Sequence, residues 1–452
     1  MAFPAVIAIY KSETSMINAF CITMALAAVI TIPPLIATRK TKISFSAHDG
    51  FLLVFLAWVA ASFTGALPYY FSGYITRFTD AFFESVSGFT TTGTSVLNDL
   101  EGLPRSLIFW RAETQWLGGM GMVVLTVALI PFLGVGGFQL LKAEAPGPDN
   151  EKITPKITQT AKILWLIYIG LTALETALLY LAGMDFFDAL IHAFSTMATG
   201  GYSSRNEGLA YWNSPAILWI VSVFMLIAGF NFTLLFRLMQ RKWKEVWQSS
   251  EARAYVMIFL VSAAISAFSS GSITNSFFYT ASILTTTGIT AGNQALITPL
   301  AGAILFLLMF IGGCSGSTAG GIKVIRHVVL FKQAGNEIKK ILYPRGVFSV
   351  QLNKKVGRKD VVYGVAGFIF LYFMLICFAA LVIASSGISH TTSFSIALIS
   401  LGNIGLNPAL LEPYTIFLQL PDYVKWTLSF IMIAGRLELW TAFVFFSREY
   451  WR

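Results

Sequence analysis

Little in this chain carries charge. Only 12% of its 452 residues are Asp, Glu, Lys or Arg and 56% are hydrophobic, whereas a soluble domain carries about 25% charged residues. That balance excludes a soluble globular protein. Cysteine occurs three times, at Cys21, Cys314 and Cys377, and histidine four times. No cysteine pair has metal-ligand spacing, and no disulfide framework can be drawn. No histidine metal motif and no Ser/His/Asp arrangement can be traced, so the chain does not read as an enzyme, and no cofactor is expected in it. A phosphate-binding loop is also missing: after Gly316 and Gly321 comes Ile322, and Lys323 stands one position late. Met1 to Tyr10 is apolar, with no basic stretch before it and no small-residue cleavage site after it, and does not read as a cleaved signal.

Long apolar runs are what the chain has in abundance. A membrane span takes roughly 20 apolar residues, and nine candidates fit: 16–37, 49–71, 106–133, 161–182, 214–239, 254–271, 298–330, 360–384 and 423–446. The expected fold is an all-α polytopic membrane protein, with no room in the loops for a separate soluble domain. The formal net charge of +9 raises nucleic acid as a partner, but its distribution argues for a bilayer. Most of the 31 Lys and Arg cluster in 39–42, 142–162, 237–253, 323–359 and 448–452. Alternating spans put those blocks on one side, which the positive-inside rule makes cytoplasmic. There they also meet anionic lipid headgroups.

Four short Thr- and Gly-rich strips recur between the spans: 89–94, 197–202, 284–289 and 400–406. Each follows a short apolar segment, at 80–89, 186–197, 276–284 and 390–401. Ten helical residues rise about 15 Å, half a bilayer core, so each segment should enter and return. The reading is internal repetition: span, short segment, strip, span, four times, as four pseudo-symmetric membrane–pore–membrane repeats around one central pore. Irregular backbone survives at membrane depth only when buried in protein or lining water. A helix also points its negative C-terminal end at the next segment of chain, here the strip. Carbonyl oxygens in a ring can replace the water around a cation. The strips contain no Asp or Glu, which suits a weakly hydrated monovalent cation better than a divalent one. Four ordinary helix hairpins with Gly turns are the plainer alternative.

Two further features lie inside spans. The decapeptide Gly312, Gly313, Cys314, Ser315, Gly316, Ser317, Thr318, Ala319, Gly320 and Gly321 interrupts 298–330. Each glycine costs a helix about 1 kcal/mol against alanine, so a loop obstructing the pore is predicted, against a loosely packed Gly interface. Arg436 lies within 423–446 and must face water, a partner or a cavity. It reads as a positive charge beside the ion path that raises a barrier or holds the gate loop, or as a structural ion pair. Arg111, Glu113, Asp80, Glu84, Glu175, Asp188, His192 and His390 stay ambiguous between structural and functional roles.

At these residues the chain resembles the TrkH/KtrB potassium-uptake family. Thr90-Thr91-Thr92-Gly93-Thr94 is similar to the family's first filter, and Gly402-Asn403-Ile404-Gly405 to its fourth. Ser195 to Ser203, Phe109-Trp110-Arg111, Gln115 to Gly121 and Ile153-Thr154-Pro155-Lys156 are TrkH-like. The resemblance implies filter carbonyls from Thr91, Thr92, Thr199, Gly200, Thr286, Thr287, Asn403 and Ile404, with Gly93, Gly201, Gly288 and Gly405 at the filter glycines. A glycine at 93, where related plant transporters with a serine favour Na+, argues for K+, which is substrate ion rather than cofactor. An intramembrane gate at 312–321 and an Arg matching Arg436 are also implied. So are a homodimer, a cytosolic nucleotide-binding regulatory subunit of the TrkA type, and the inner membrane of a prokaryote. The family has two helices before its first repeat, and here 3–10 looks like the tail of one and 16–37 the other. The expected division is 1–45 for this N-terminal region, then repeats 46–145, 146–250, 251–345 and 346–452. A Na+-selective or Na+/H+-coupled relative is the rival within transport, and an intramembrane enzyme the rival outside it.

Overall fold

The computed structural model describes residues 1–39, 47–129, 157–292, 297–353, 355–356, 359–405 and 416–451. Helices dominate them. In chain order they begin with α1 (Ala2–Tyr10), α2 (Thr14–Thr38), α3 (Ala47–Phe71), α4 (Phe78–Phe89) and α5 (Arg105–Leu129). Next come α6 (Ile157–Leu181), α7 (Phe186–Met197), α8 (Pro215–Ala228), α9 (Phe232–Met239) and α10 (Trp243–Gln248). The third group is α11 (Ser250–Ser270), α12 (Ile273–Leu284), α13 (Pro299–Leu308) and α14 (Val324–Leu342). The last is α15 (Lys359–Ala384), α16 (His390–Gly402), α17 (Ile416–Gln419), α18 (Asp422–Arg436) and α19 (Leu439–Phe443). The strands among the described residues form one hairpin, β1 (Gln351–Leu352) against β2 (Lys355–Val356).

Unbroken apolar sequence gives the long helices, and polar or glycine residues end them. Ser249 caps α11 by accepting the Ala252 N–H, and Gly271 closes it in the left-handed conformation at φ +69°. Among the described residues five helices are long and apolar enough to cross a membrane: Thr14–Thr38, Asp49–Phe71, Gln159–Leu181, Ser250–Ser270 and Val361–Ala384. Their outward faces carry exposed Val29, Ile30, Leu166, Leu181, Phe370 and Leu381, surface suited to lipid tails rather than water. These helices match the predicted spans 16–37, 49–71, 161–182, 254–271 and 360–384, and α5 covers the described residues of 106–133.

Three predicted spans are not continuous helices. The span 214–239 is α8 and α9, bent by 104° at residues 229–231. In 298–330 the helix stops at Leu308 and resumes at Val324, a wider interruption than 312–321. In 423–446 helix α18 ends at Arg436, Glu438 takes φ +64°, and α19 follows. The physical reason is shared: polar groups at these breaks bond to distant segments of the chain.

Four short helices form the centre. Helices α4, α7, α12 and α16 have 12, 12, 12 and 13 residues, about 18 Å of rise each, too short to cross a hydrocarbon core of about 30 Å. Each packs between longer neighbours: α4 between α3 and α5, α7 between α6 and α8, α12 between α11 and α13, and α16 between α15 and α18. Across these groups α5 meets α7, α8 meets α12 and α18 meets α4. In α4 every residue from Asp80 to Gly88 is buried. The predicted boundaries at 45/46 and 145/146, the end of span 106–133, the Ile153–Lys156 motif and Leu406 lie outside the described residues.

Candidate ion-conduction site

The strips after the four short helices take the same backbone path. Thr91, Thr199, Thr286 and Asn403 have φ of +53°, +54°, +57° and +49°. Two residues on, Gly93, Gly201, Gly288 and Gly405 have φ of +80°, +84°, +70° and +77°. Positive φ is uncommon outside glycine, so this is one conformation built four times. Between each pair, an N–H turns back into the short helix. Thr92 donates to the Ser87 carbonyl at 2.9 Å, Gly200 to Ser195 at 2.8 Å, Thr287 to Ser282 at 2.8 Å and Ile404 to Ile399 at 3.1 Å.

The carbonyls of those same residues lie against the glycine of the adjoining strip. A Cβ on Gly93 would stand 2.2 Å from the Gly200 oxygen, one on Gly201 2.3 Å from Thr287, and one on Gly288 2.1 Å from Ile404. On Gly405 it would stand 3.0 Å from the Thr92 oxygen, which closes the cycle of four strips. Glycine is required twice over here, for its backbone angle and for its missing side chain. The contacts bring Gly93, Gly201, Gly288 and Gly405 together with the carbonyls of Thr92, Gly200, Thr287 and Ile404, while Thr91, Thr199, Thr286 and Asn403 enter them only as the preceding residues of the same strips. Each of these carbonyls therefore follows the C-terminal end of a short helix, where the helix dipole is negative. Threonine hydroxyls brace the strips from behind: Thr90 Oγ1 bonds Thr92 Oγ1 at 2.8 Å, and Thr285 bonds Thr287 at 2.7 Å. Asn403 Nδ2 donates to Thr92 Oγ1 at 2.8 Å and to the Met432 carbonyl at 3.0 Å.

The segment between α13 and α14 packs against the C-terminal ends of three short helices. Gly320 N–H donates to Thr286 Oγ1 at 2.6 Å, and Thr318 Oγ1 donates to the Met197 carbonyl at 3.0 Å. A Cβ on Gly320 would lie 2.4 Å from the Gly402 oxygen. The bend between α8 and α9 receives the other side of this loop. Cys314 N–H donates to the Gly229 carbonyl at 2.9 Å, Phe232 N–H to Gly316 at 3.1 Å, and Asn231 Nδ2 to Ser315 at 2.5 Å. Glu251 of α11 accepts the Ser315 N–H at 2.6 Å, and Lys323 Nζ donates to the Ala319 carbonyl. Arg436 is 2% exposed and donates from Nη1 to the Thr318 carbonyl at 2.7 Å and from Nη2 to Gly118 at 3.3 Å. It therefore ties the loop to α5. The ion pair near it is a different one: Glu438 holds Arg326 of α14 at 2.5 Å.

Most of the ambiguous titratable residues have structural partners. Asp80 pairs with buried Lys425 at 2.5 Å and Glu84 with Arg111 at 2.9 Å. Glu84 also accepts the Val96 N–H just past the first strip. Asp188 pairs with Arg205 at 2.9 Å, and both ring nitrogens of His192 are bonded, to the Asp188 carbonyl and to Ser203. Glu113 lies 3.9 Å from the N-terminal ammonium. Glu175 is buried with neither carboxylate oxygen bonded. Sequence reasoning does not find Lys425, Asn231 or Glu251, whose partners lie 64 to 345 residues away and leave no local pattern. Gln115 is visible in the sequence only as one residue of a TrkH-like motif.

The model of the TrkH family, described as a cation transport protein, matches residues 16–268 and 261–452. The chain belongs to this family. It is 39% identical over 427 residues to the Trk system potassium uptake protein TrkH of Escherichia coli K12, covering 92% of this chain and 88% of that protein. To the TrkG protein of the same strain it is 34% identical over 462 residues, 99% of this chain and 94% of that one. The crystal structure of the potassium transporter TrkH from Vibrio parahaemolyticus superposes with a TM-score of 0.81 at 33% identity, covering all of both chains. This TrkH-family chain is a multi-pass, nearly all-helical membrane protein.

Proposed function

We propose that the chain is the K+-translocating subunit of a Trk-type uptake system. The observation that carries this reading is the closed cycle of four strips. Each presents a carbonyl at the glycine of its neighbour, without a carboxylate in any strip. A K+ ion entering the ring exchanges water oxygens for carbonyls of Thr91, Thr92, Thr199, Gly200, Thr286, Thr287, Asn403 and Ile404. Neutral carbonyls hold a weakly hydrated monovalent cation without trapping it. The four glycines keep the strips close enough to act together. Repeats 46–145, 146–250, 251–345 and 346–452 surround this pore, after the N-terminal region at 1–45.

Below the ring, 312–321 acts as the gate. Its bonds to Thr286, Met197 and Arg436 support a closed position across the path. Arg436 adds positive charge there and raises the barrier to cations. In this reading the protein works as a homodimer in a prokaryotic inner membrane, with a cytosolic nucleotide-binding subunit moving the gate. The basic residues of 323–359 offer that subunit a docking surface. The names of the relatives, potassium uptake proteins, point the same way.

Proteoliposomes carrying the purified chain test this. Rb+ should enter well ahead of Na+, and Gly93→Ser should narrow the difference. Equal Rb+ and Na+ entry in the parent protein rejects K+ selectivity. No entry of either ion, in the parent and also after deletion within 313–320, rejects the pore.

A further inference from the structure

The second strip departs from the other three in one respect. At the position before the filter glycine the others carry a side chain: Thr92, Thr287 and Ile404. Strip two has Gly200, and two residues earlier it has Ala198 where strips one and three have the hydroxyls of Thr90 and Thr285. The threonine pair that braces those strips is therefore missing. A second brace is missing too. Ser87 Oγ donates to the Thr94 carbonyl at 2.6 Å, and Ser282 Oγ to Ile289 at 3.0 Å. Their counterpart Ser195 has an Oγ with no partner.

A residue from another helix stands in that space. Gln115 of α5 is fully buried. A Cβ placed on Gly200 would find Gln115 Cδ, Oε1 and Nε2 as its three nearest atoms, at 2.4, 2.5 and 2.7 Å. The amide thus occupies the volume that the strip's own side chain fills elsewhere. It bonds the strip on both sides of Gly201: Nε2 donates to the Gly200 carbonyl at 2.6 Å, and Oε1 accepts the Tyr202 N–H at 3.2 Å. The Gly200 oxygen is the same one that lies against Gly93. A carbonyl has two lone pairs, so one is held by Gln115 and the other is left for the ring.

We propose that Gln115 is a positioning residue of the filter. Its amide replaces the missing side chain of strip two, aims the Gly200 carbonyl and sets how well the ring discriminates between monovalent cations. This rests on the cation-pathway reading above. No local pattern marks the role, because it joins residues 85 apart in sequence.

The test is a double-mutant cycle on Rb+ and Na+ entry into proteoliposomes, with Gln115→Ala, Gly200→Ala and the two combined. The methyl of Gly200→Ala displaces the flexible amide rather than backbone, so both single variants remove the same two bonds. Each should lower the Rb+/Na+ ratio by roughly two- to tenfold, the size of one net hydrogen bond, and the double variant should be no worse than either. Gln115→Met, which keeps the volume, should lose the same discrimination and covers the event that Gln115→Ala fails to fold. An unchanged ratio in folded Gln115→Met, or effects that multiply in the double variant, overturns the proposal. A parent chain that passes neither ion, and still passes neither after deletion within 313–320, refutes the pathway itself. A selective parent with an equally selective Gln115→Met refutes only the role of Gln115.

Discussion

On the proposed reading of 312–321 as a gate, replacing Arg436 by Gln should open it more often. The guanidinium donates to the Thr318 carbonyl at 2.7 Å and to Gly118 at 3.3 Å. The first contact is short and the second long, so only the first is counted in full. A hydrogen bond from a charged group contributes about 1.5–3 kcal/mol net. Taking about 2 kcal/mol, and 1.36 kcal/mol per factor of ten, the closed position loses roughly 30-fold in its favour. Thr318 stays attached by its hydroxyl to Met197 and Ala228, so the loop is loosened rather than released. The assay is Rb+ entry into proteoliposomes with the pore subunit alone, read as the ratio of variant to parent flux. Arg436→Lys separates two origins of the effect: it keeps the charge but not the fork that reaches both carbonyls. If the tether dominates, Lys behaves like Gln; if the charge barrier dominates, Lys behaves like the parent. Folded Arg436→Gln with parental flux refutes the tether and the barrier together.

Gly288→Ala sets a methyl 2.1 Å from the Ile404 oxygen, whereas Gly271→Ala, at nearly the same φ, meets nothing within 4 Å. Rb+ entry should be lost in the first and kept in the second, whose stability falls by about 1–2 kcal/mol for the left-handed angle; equal effects on entry refute the close ring. Removing Lys425 alone leaves Asp80 buried without its partner, so Lys425→Met should destabilise the detergent-solubilised protein by about 3–5 kcal/mol. Asp80→Asn added to it should restore much of the loss, and a thermal melt reads both. Glu175 has no bonded partner for either oxygen, so Glu175→Gln should leave the melting temperature level or raised, and a clear fall contradicts that burial.

The four strips were legible because their chemistry is local. Thr and Gly sit where left-handed backbone is needed, and each follows a segment too short to cross. The long helices were legible for a similar reason, since an apolar run says by itself how long it is. The breaks were less so. The glycines of 312–321 announce one, yet the interruption extends from Met309 to Lys323. At 229–231 a single glycine precedes Phe230 and Asn231, and the bend is fixed by loop atoms more than 80 residues away. At Leu437 and Glu438 there is no breaker residue at all; Glu438 is drawn off the helical path toward Arg326, 112 residues distant. Asp80 and Glu84 share a helix face in sequence but serve separate ion pairs with Lys425 and Arg111. Contacts of this kind depend on three-dimensional neighbours, not on spacing.

The bend at 229–231 and the loop at 312–321 are stitched together. The carbonyls of Ala228 and Gly229 accept from Thr318 and Cys314, and the loop carbonyls of Ser315 and Gly316 accept from Asn231 and Phe232. Two interrupted helices thus satisfy one another's open backbone groups at membrane depth, where water is scarce. A partial movement of the loop would strand several of these polar groups on both sides at once. If 312–321 is the gate, such a seam should break as a unit. Single-molecule current records should then show abrupt steps between shut and open, with few intermediate levels.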